Sequence, residues 1–384
     1  GDDVGADDLL HRYDEALASF DRLLTLSPNR ADGYNNRGNV MMELGRAQEA
    51  LIDFQRALAI NPSFVEAYNN QGNALLDLGR ADEALASYGR AIALNREYAE
   101  AYGNRGNALS MLHRQEEALI DFDRALELKL NGAETHLNRA MALRDLKRYE
   151  EALASCDRAL AIQPESAEAH NVRGNVLLGL LRHSEALASY ERALAIRSDY
   201  LGAHNNRGTA LRRLRRLEEA LESYERVLRV EPDHVEANLN KSQVLLLQGR
   251  YLEGWALYEW RFQLSSAKNT LPVFPQPKWD GKQDIAGKTI FVHAEQGLGD
   301  VIQFCRYLPQ IAALGANVVF GVNGNLAAFV STLRCSMTVV TKDIPLPAFD
   351  MHCAVMSLPY LFQTRLETIP ANVPYLFKIG RAHV

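Results

Sequence analysis

Residues 34–39 read YNNRGN, and nearly the same words return as YNNQGN at 68–73 and YGNRGN at 102–107. The series continues as HLNRAM at 136–141, HNVRGN at 170–175, HNNRGT at 204–209 and NLNKSQ at 238–243, a step of 34 residues without a slip. A second block keeps the same step. Glu-Ala-Leu begins at Glu15, Glu49, Glu83, Glu117, Glu151, Glu185 and Glu219, and degenerates to Glu-Gly-Trp at Glu253. A fixed period of this length is the signature of a stacked repeat, in which one unit cannot bury its apolar face alone.

Each unit reads as two helices. In the first, a small residue (Gly38, Gly72, Gly106, Ala140, Gly174, Gly208, Ser242) admits a neighbouring helix closely. In the second, ALIDFQRAL and its copies place apolar residues at i, i+3, i+4 and i+7. Pro28, Pro62, Pro164 and Pro232 fall just after second helices, where a helix must stop.

The small-large pattern at this period resembles the tetratricopeptide repeat (TPR) family over about residues 9–262. The resemblance implies an α-solenoid of helix pairs, a right-handed superhelix with a concave groove. Residues 1–264 are assigned to it, with a partial first repeat and seven full frames. The last frame, YLEGWALYEWRF at 251–262, carries aromatic residues where the others are small, as expected of a terminal cap.

Asparagine lowers helix propensity because its side chain competes with the backbone. Here it recurs inside first helices at Asn36, Asn70, Asn104, Asn138, Asn206 and Asn240, with Val172 breaking the series. A second set, Asn39, Asn73, Asn107 and Asn175, lies three residues on. Stacking would align these amides. They could tie one helix to the next, or pair with the backbone of an extended polypeptide. An array with this asparagine spacing is similar to the one fused to protein O-GlcNAc transferases, which implies the polypeptide-binding role.

From Lys288 the period changes. TIFVHA (289–294), NVVFGV (317–322) and MTVV (337–340) read as strands, alternating with the helical patterns DVIQFCRYLPQIAAL and NLAAFVSTLR. FDMHCAVMSLPYLF at 349–362 begins with a further strand pattern. Such alternation argues for a parallel, doubly wound sheet. Residues 265–286, with Pro272, Pro275 and Pro277, read as a stiff connector.

HAEQGLGD at 293–300 then fills the first strand-to-helix turn, where such sheets bind ligands. His293, Glu295, Gln296, Gly297 and Gly299 are the candidate ligand loop, the glycines permitting close backbone approach. The loop is neither a dinucleotide fingerprint nor a P-loop, since Ile302 stands where the third glycine would be and no Gly-Lys-Ser/Thr follows.

EGWALYEWRF, Trp279-Asp280-Gly281 and HAEQGLGDVIQFCRYLP, followed by Leu346-Pro347-Ala348-Phe349-Asp350, Ser357-Leu358-Pro359 and Ile369-Pro370-Ala371, resemble the start of a GT-B glycosyltransferase domain of the heptosyltransferase and O-GlcNAc transferase type. The resemblance implies that residues 287–378 are the Rossmann-like N-terminal half of such a domain. It makes Asp300 a candidate general base that deprotonates an acceptor hydroxyl. Capping the helix is the plainer role for Asp300, and packing the plainer one for His293. The resemblance also implies a nucleotide sugar as donor substrate, with no bound cofactor. A GT-B enzyme needs a second such half, so the chain as given is expected to be an inactive fragment. Ile379-Gly-Arg-Ala-His-Val384 fits nothing in the pattern and matches the translation of a common sequencing adapter, so it reads as a non-native tail.

The totals limit the other classes. A formal charge of −6 argues against general nucleic-acid binding. No apolar run approaches the roughly 20 residues of a membrane span. The four cysteines form no CxxC pair, which fits a reducing, cytoplasmic location and no metal site. Asp121-Phe-Asp123 looks like a metal-binding DxD motif but sits at repeat positions within a helix. The expected partner is an extended polypeptide in the TPR groove. The second reading is a non-catalytic TPR interaction scaffold.

Overall fold

The computed structural model describes residues 3–128, 132–264, 272–295, 297–371 and 376. Gln296, part of the expected connector and the expected tail at 379–384 lie outside the described residues. Among the described residues, fifteen α-helices occupy 3–258 and a four-stranded parallel sheet follows. Tertiary contacts divide the chain into two compact units, 1–206 and 207–384. The division falls inside the helix Leu201–Arg213.

In the first unit the repeat frames are helix pairs, among them Ala31–Glu43 with Ala47–Ile60, Val65–Asp77 with Ala81–Leu94, and Ala99–Met111 with Gln115–Glu127. Helices this short are marginal alone and depend on packing. The packing is the small-large contact expected from the sequence. A Cβ built on Gly72 would lie 2.4 Å from the Tyr88 ring, so only glycine lets that ring lie against the helix backbone. One frame solves the problem differently. Ala140 stands in the glycine position and Cys156 in the aromatic one, and both are fully buried. The added methyl is matched by a smaller partner, which keeps the core filled.

The turn between the two helices of a frame uses a left-handed residue. Gly45, Gly79 and Gly249 supply it in three frames, and His113, Lys147, Leu181 and Arg215 in the others. Gly45 donates to the Met42 carbonyl and Arg46 to that of Met41, closing the helix end. Immediately after these turns, arginine pairs with glutamate three residues on, as in Arg46–Glu49, Arg182–Glu185 and Arg216–Glu219. Arg216, from the arginine-rich stretch 212–216, is therefore part of this exposed pattern.

In the second unit the helices Leu217–Val230, Val235–Leu247 and Tyr251–Tyr258 lead into a 3₁₀ turn, Glu259–Gln263. The sheet comprises β1 (Thr289–His293), β2 (Asn317–Gly321), β3 (Met337–Val340) and β4 (Met351–Ala354). Their order is β3-β2-β1-β4, all parallel. The chain thus runs outward from β1 to β3, then returns to the other side of β1, creating a topological switch between β1 and β4.

The long helix expected after β1 is broken. Leu298–Phe304 is followed by a 3₁₀ turn, Cys305–Tyr307, and then by Leu308–Ala313 with Pro309 in its first turn. Three residues per turn replace 3.6 at the break. The buried face, Val301, Phe304, Cys305 and Leu308, continues at Ile311, with Ala312 packed on its margin.

The segment before β1 does more than connect. Trp279 donates its backbone N–H to the His352 carbonyl at 2.8 Å, and His352 donates to that of Pro277 at 3.1 Å. These bonds lay the segment beside β4. They also bring the fully buried Trp279 ring into the α/β core, edge-on to Phe362. Phe274 packs on the opposite side of the sheet, against Phe291 and Phe349. The aromatic residues of the last frame also face this domain. Trp255 lies edge-on to Phe304 with centroids 5.5 Å apart, and Trp255 and Tyr258 both pack on the α/β core. They form an intramolecular interface, because an adjacent apolar core is available to cover them.

Candidate functional site

The asparagine positions are engaged within the first unit. The Asn70 amide donates to Asn35 Oδ1 at 3.0 Å, Asn104 to Asn69 at 2.9 Å and Asn206 to Asn171 at 3.0 Å. Each bond spans 35 residues and joins one frame to the frame before it. The acceptors Asn35, Asn69 and Asn171 are buried, and sequence reading did not single them out. Their signal was available as the asparagine directly after the aromatic residue or histidine in YNN and HNV. Where Gly103 replaces that acceptor, Asn138 turns instead to Asn107, at 2.8 Å. Asn107 can accept because the ring facing it is Phe122, which has no hydroxyl. In the frames with tyrosine, Asn73 and Asn175 accept from Tyr88 and Tyr190 at 2.8 and 2.7 Å. Asn36 is exposed, and Asn240, in the second unit, is half-buried.

The residue after each ladder asparagine fixes the helix pair. Arg37 makes two bonds to the buried Asp53, at 2.6 and 2.7 Å, and another to Asp21 at 2.6 Å. Arg105 grips Asp121 in the same bidentate way, and Arg139 pairs with Asp123. Both carboxylates of the DxD-like motif are therefore structural ion pairs. Among the described residues no cluster of three or more metal-ligating side chains is present.

The α/β domain carries a cleft of about 1040 Å³ at the carboxyl ends of β1, β2 and β3. His293, Gly297, Asn323 and Lys342 line it, with Phe274 and Phe291 among its apolar walls. Glu295 also borders the cleft, but its carboxylate is turned inward. Arg261 donates to both Glu295 oxygens, at 3.1 and 3.0 Å, and bonds Glu259 at 2.6 Å and Ser357 Oγ at 2.8 Å. Arg261 thereby ties together the segments that follow β1 and β4. Its charge, buried with only 5 % exposure, is matched by the two carboxylates. Glu259 and Ser357 complete the network, Ser357 donating to Glu259 at 2.8 Å.

His293 is buried, and its Nδ1 has no hydrogen-bond partner. Burial lowers its pKa from 6.5 to about 4, helped by the neighbouring His352, whose ring centroid is 5.7 Å away. The imidazole is therefore neutral at ordinary pH. Gly297 lines the cleft and precedes the helix Leu298–Phe304; Gly299 and Asp300 do not line it. A Cβ on Gly299 would meet nothing within 4 Å. Asp300 is half-buried in the first turn of that helix, the favourable end for a carboxylate.

Stacked helix pairs at a constant 34-residue step define a helical-repeat solenoid. In sequence, models of the tetratricopeptide repeat match residues 38–79 and 72–112, 133–199 and 205–259. The array is a tetratricopeptide-repeat array, a protein-interaction scaffold. Over 75 residues, 19% of this chain, it is 47% identical to Protein FlbA of Caulobacter vibrioides, and that stretch spans 12% of FlbA. A tetratricopeptide repeat protein from Parabacteroides merdae is similar in fold. It has a TM-score of 0.52 at 16% identity, over 62% of this chain and 94% of its own. A chain of the APC/C hetero-tetramer Cut9–Hcn1 has a TM-score of 0.53 at 14% identity, over 68% and 53% of the two chains. No helix among the described residues is long and apolar enough to cross a membrane.

Proposed function

We propose that the chain belongs to a cytoplasmic glycosyltransferase of the GT-B type, with residues 287–378 its Rossmann-like N-terminal half and the TPR array its polypeptide-binding arm. The carrying observation is the open cleft at the carboxyl ends of β1–β3, beside a glycine-containing turn, in a sheet of order β3-β2-β1-β4. The first four strands of a doubly wound sheet have the same order, which supports this reading. In this reading His293 and Gly297 border the acceptor, Glu295, Gln296 and Gly299 complete the loop, and Asp300, in the first turn of the helix behind Gly297 and outside the cleft lining, takes the proton from the attacking hydroxyl. A nucleotide sugar is the donor. The ladder amides Asn36, Asn70, Asn104, Asn138, Asn206 and Asn240 offer their remaining hydrogen-bonding groups to an extended polypeptide. The free thiols of Cys156, Cys305, Cys335 and Cys353 support a reducing location.

The test is sugar transfer by the full-length protein to a polypeptide that the array retains. Asp300→Asn is expected to lower turnover by about 10²–10⁴-fold with the fold intact. Unchanged turnover would remove Asp300 as the base. Absence of transfer from any nucleotide sugar would leave the second reading, a non-catalytic interaction scaffold. That reading is favoured by how fully Asn70, Asn104 and Glu295 are already engaged within the fold.

A further inference from the structure

We infer that the ladder face of the first unit selects a basic segment, an extended polypeptide carrying lysine or arginine at intervals. The inference rests on the polypeptide-binding half of the proposed function and not on the transferase half.

The face is built from the first helix of each frame. On a helix, residues at i, i+4 and i+11 share one side. Glu66, Asn70 and Asp77 are such a set, and so are Glu134, Asn138 and Asp145. In the second set the shared side is open. Glu134, Asn138, Met141 and Asp145 line one pocket of about 450 Å³, together with Asn107 and Met111 of the frame before. The amides therefore run between carboxylates at the two ends of the first helices.

The first-turn row is Glu66, Glu100, Glu134 and Glu168, all exposed and none in an ion pair among the described residues. A carboxylate there suits the helix dipole, so this row alone has an ordinary explanation. The carboxylates at the other end do not. Glu43 and Asp77 are the final residues of their helices, exposed, with no basic residue in the last turn and no ion pair. The dipole opposes a carboxylate at that end. Side chains that work against their own helix, and bond nothing within the chain, suit a cation from outside it. Met111 holds the same place in the next frame and is 62% exposed. A thioether there gives the apolar stem of a lysine or arginine a surface to lie on.

The cations of these frames are directed elsewhere. Arg37, Arg105, Arg139 and Arg173, each one residue past a ladder position, turn to carboxylates of second helices. Arg144 lines the pocket but is bonded to Asp145. Lys147, exposed in the turn beyond, lies outside the lining. The face keeps a surplus of negative charge, which a basic partner complements and an acidic one does not. Helices in contact lie about 8–10 Å apart and an extended chain advances about 3.3 Å per residue. One frame thus spans about three residues of the bound segment.

The probes are six-fold repeats of Lys-Thr-Ser, Gln-Thr-Ser and Glu-Thr-Ser, each titrated into the full chain by calorimetry. The lysine peptide is expected to bind about tenfold more tightly than the glutamine peptide, with an affinity that falls as salt rises. The glutamate peptide is expected not to bind. Glu66→Gln combined with Asp77→Asn is expected to weaken the lysine peptide about fivefold. Asp77→Asn alone should leave the melting temperature unchanged or raised, whereas removing a structural carboxylate would lower it. Asp82→Asn combined with Glu150→Gln removes two exposed carboxylates of second helices that do not line the pocket, and should leave binding unchanged. No binding of the lysine peptide, equal binding of the three peptides, or equal losses from the two double variants overturns the inference. If the full-length protein transfers no sugar while the lysine peptide is still selected, the transferase reading fails and this assignment stands. Transfer to polypeptides regardless of their basic residues would do the reverse.

Discussion

Arg261 closes on Glu295 with two parallel hydrogen bonds, joining the last turn of the helical segment to the second residue after β1. Both side chains are nearly inaccessible to water, so each needs the other. Arg261→Met leaves Glu295 buried without its cation and Glu259 paired with Lys278 alone. It is expected to destabilise the second unit by about 3–5 kcal/mol, measured by urea unfolding. Lysine should not rescue it, because one ammonium cannot reproduce the planar fork. Full rescue by Arg261→Lys would show that the geometry of the pair is unimportant.

Cys156→Phe restores the aromatic residue found at this position in other frames. Opposite Ala140 it should overpack the core and cost about 1–3 kcal/mol. Adding Ala140→Gly should recover most of that loss. A double-mutant cycle reads the coupling, and simple additivity of the two changes would contradict the compensation seen between these buried side chains.

Leu181 holds φ of 60° with its side chain 75% exposed. It carries the strain of a left-handed residue and returns little burial. Leu181→Gly is expected to raise stability by about 1 kcal/mol, as Gly45 and Gly79 avoid the same strain in their frames. A lowered melting temperature would mean that the leucine side chain has a compensating contact.

The folded pKa of His293 lies below its unfolded value, so the unfolded chain binds the proton more readily. Stability from this group is complete above pH 6.5. It falls as pH drops towards about 4 and changes little below that. The full shift corresponds to about 3 kcal/mol. His293→Phe should make unfolding less pH-dependent across this window than in the parent protein. Equal pH dependence of the two proteins would place the parent imidazole in contact with water.

The repeat was legible because its contacts are local and periodic. A residue such as Gly72 and its ring partner Tyr88 lie in one frame, and the pattern recurs often enough to be read without an alignment. The strands were legible for a similar reason, each being a short apolar run between turn residues. Arg261 was not legible, because its partners Glu295 and Ser357 lie 34 and 96 residues away and no period connects them. The break after Phe304 was hidden in a sequence whose apolar spacing suits a continuous helix. Its one visible sign was Pro309, a residue acceptable at a helix start. The ladder was visible as a row of asparagines, but its internal hydrogen bonds were not, since either use of an amide leaves the same letter in the sequence. His293 could be placed at the end of a strand. Its unpartnered nitrogen depends on Phe274 and His352, which only the fold brings beside it.

The steps of 16 and 35 residues in the polar wiring bear on how such an array can change length. Asn70 reaches back to Asn35 and Asn104 to Asn69, so removing one whole frame between equivalent points returns a matching donor to a matching acceptor. Gain or loss of a frame by unequal recombination therefore needs no second mutation in this stretch. The frame containing Gly103 is the exception. It has no amide where Asn35 and Asn69 stand, so the frame that follows it must reach Asn107 instead, as Asn138 does. The stretch before it can lengthen with its ladder in register, while this frame stays a fixed punctuation mark.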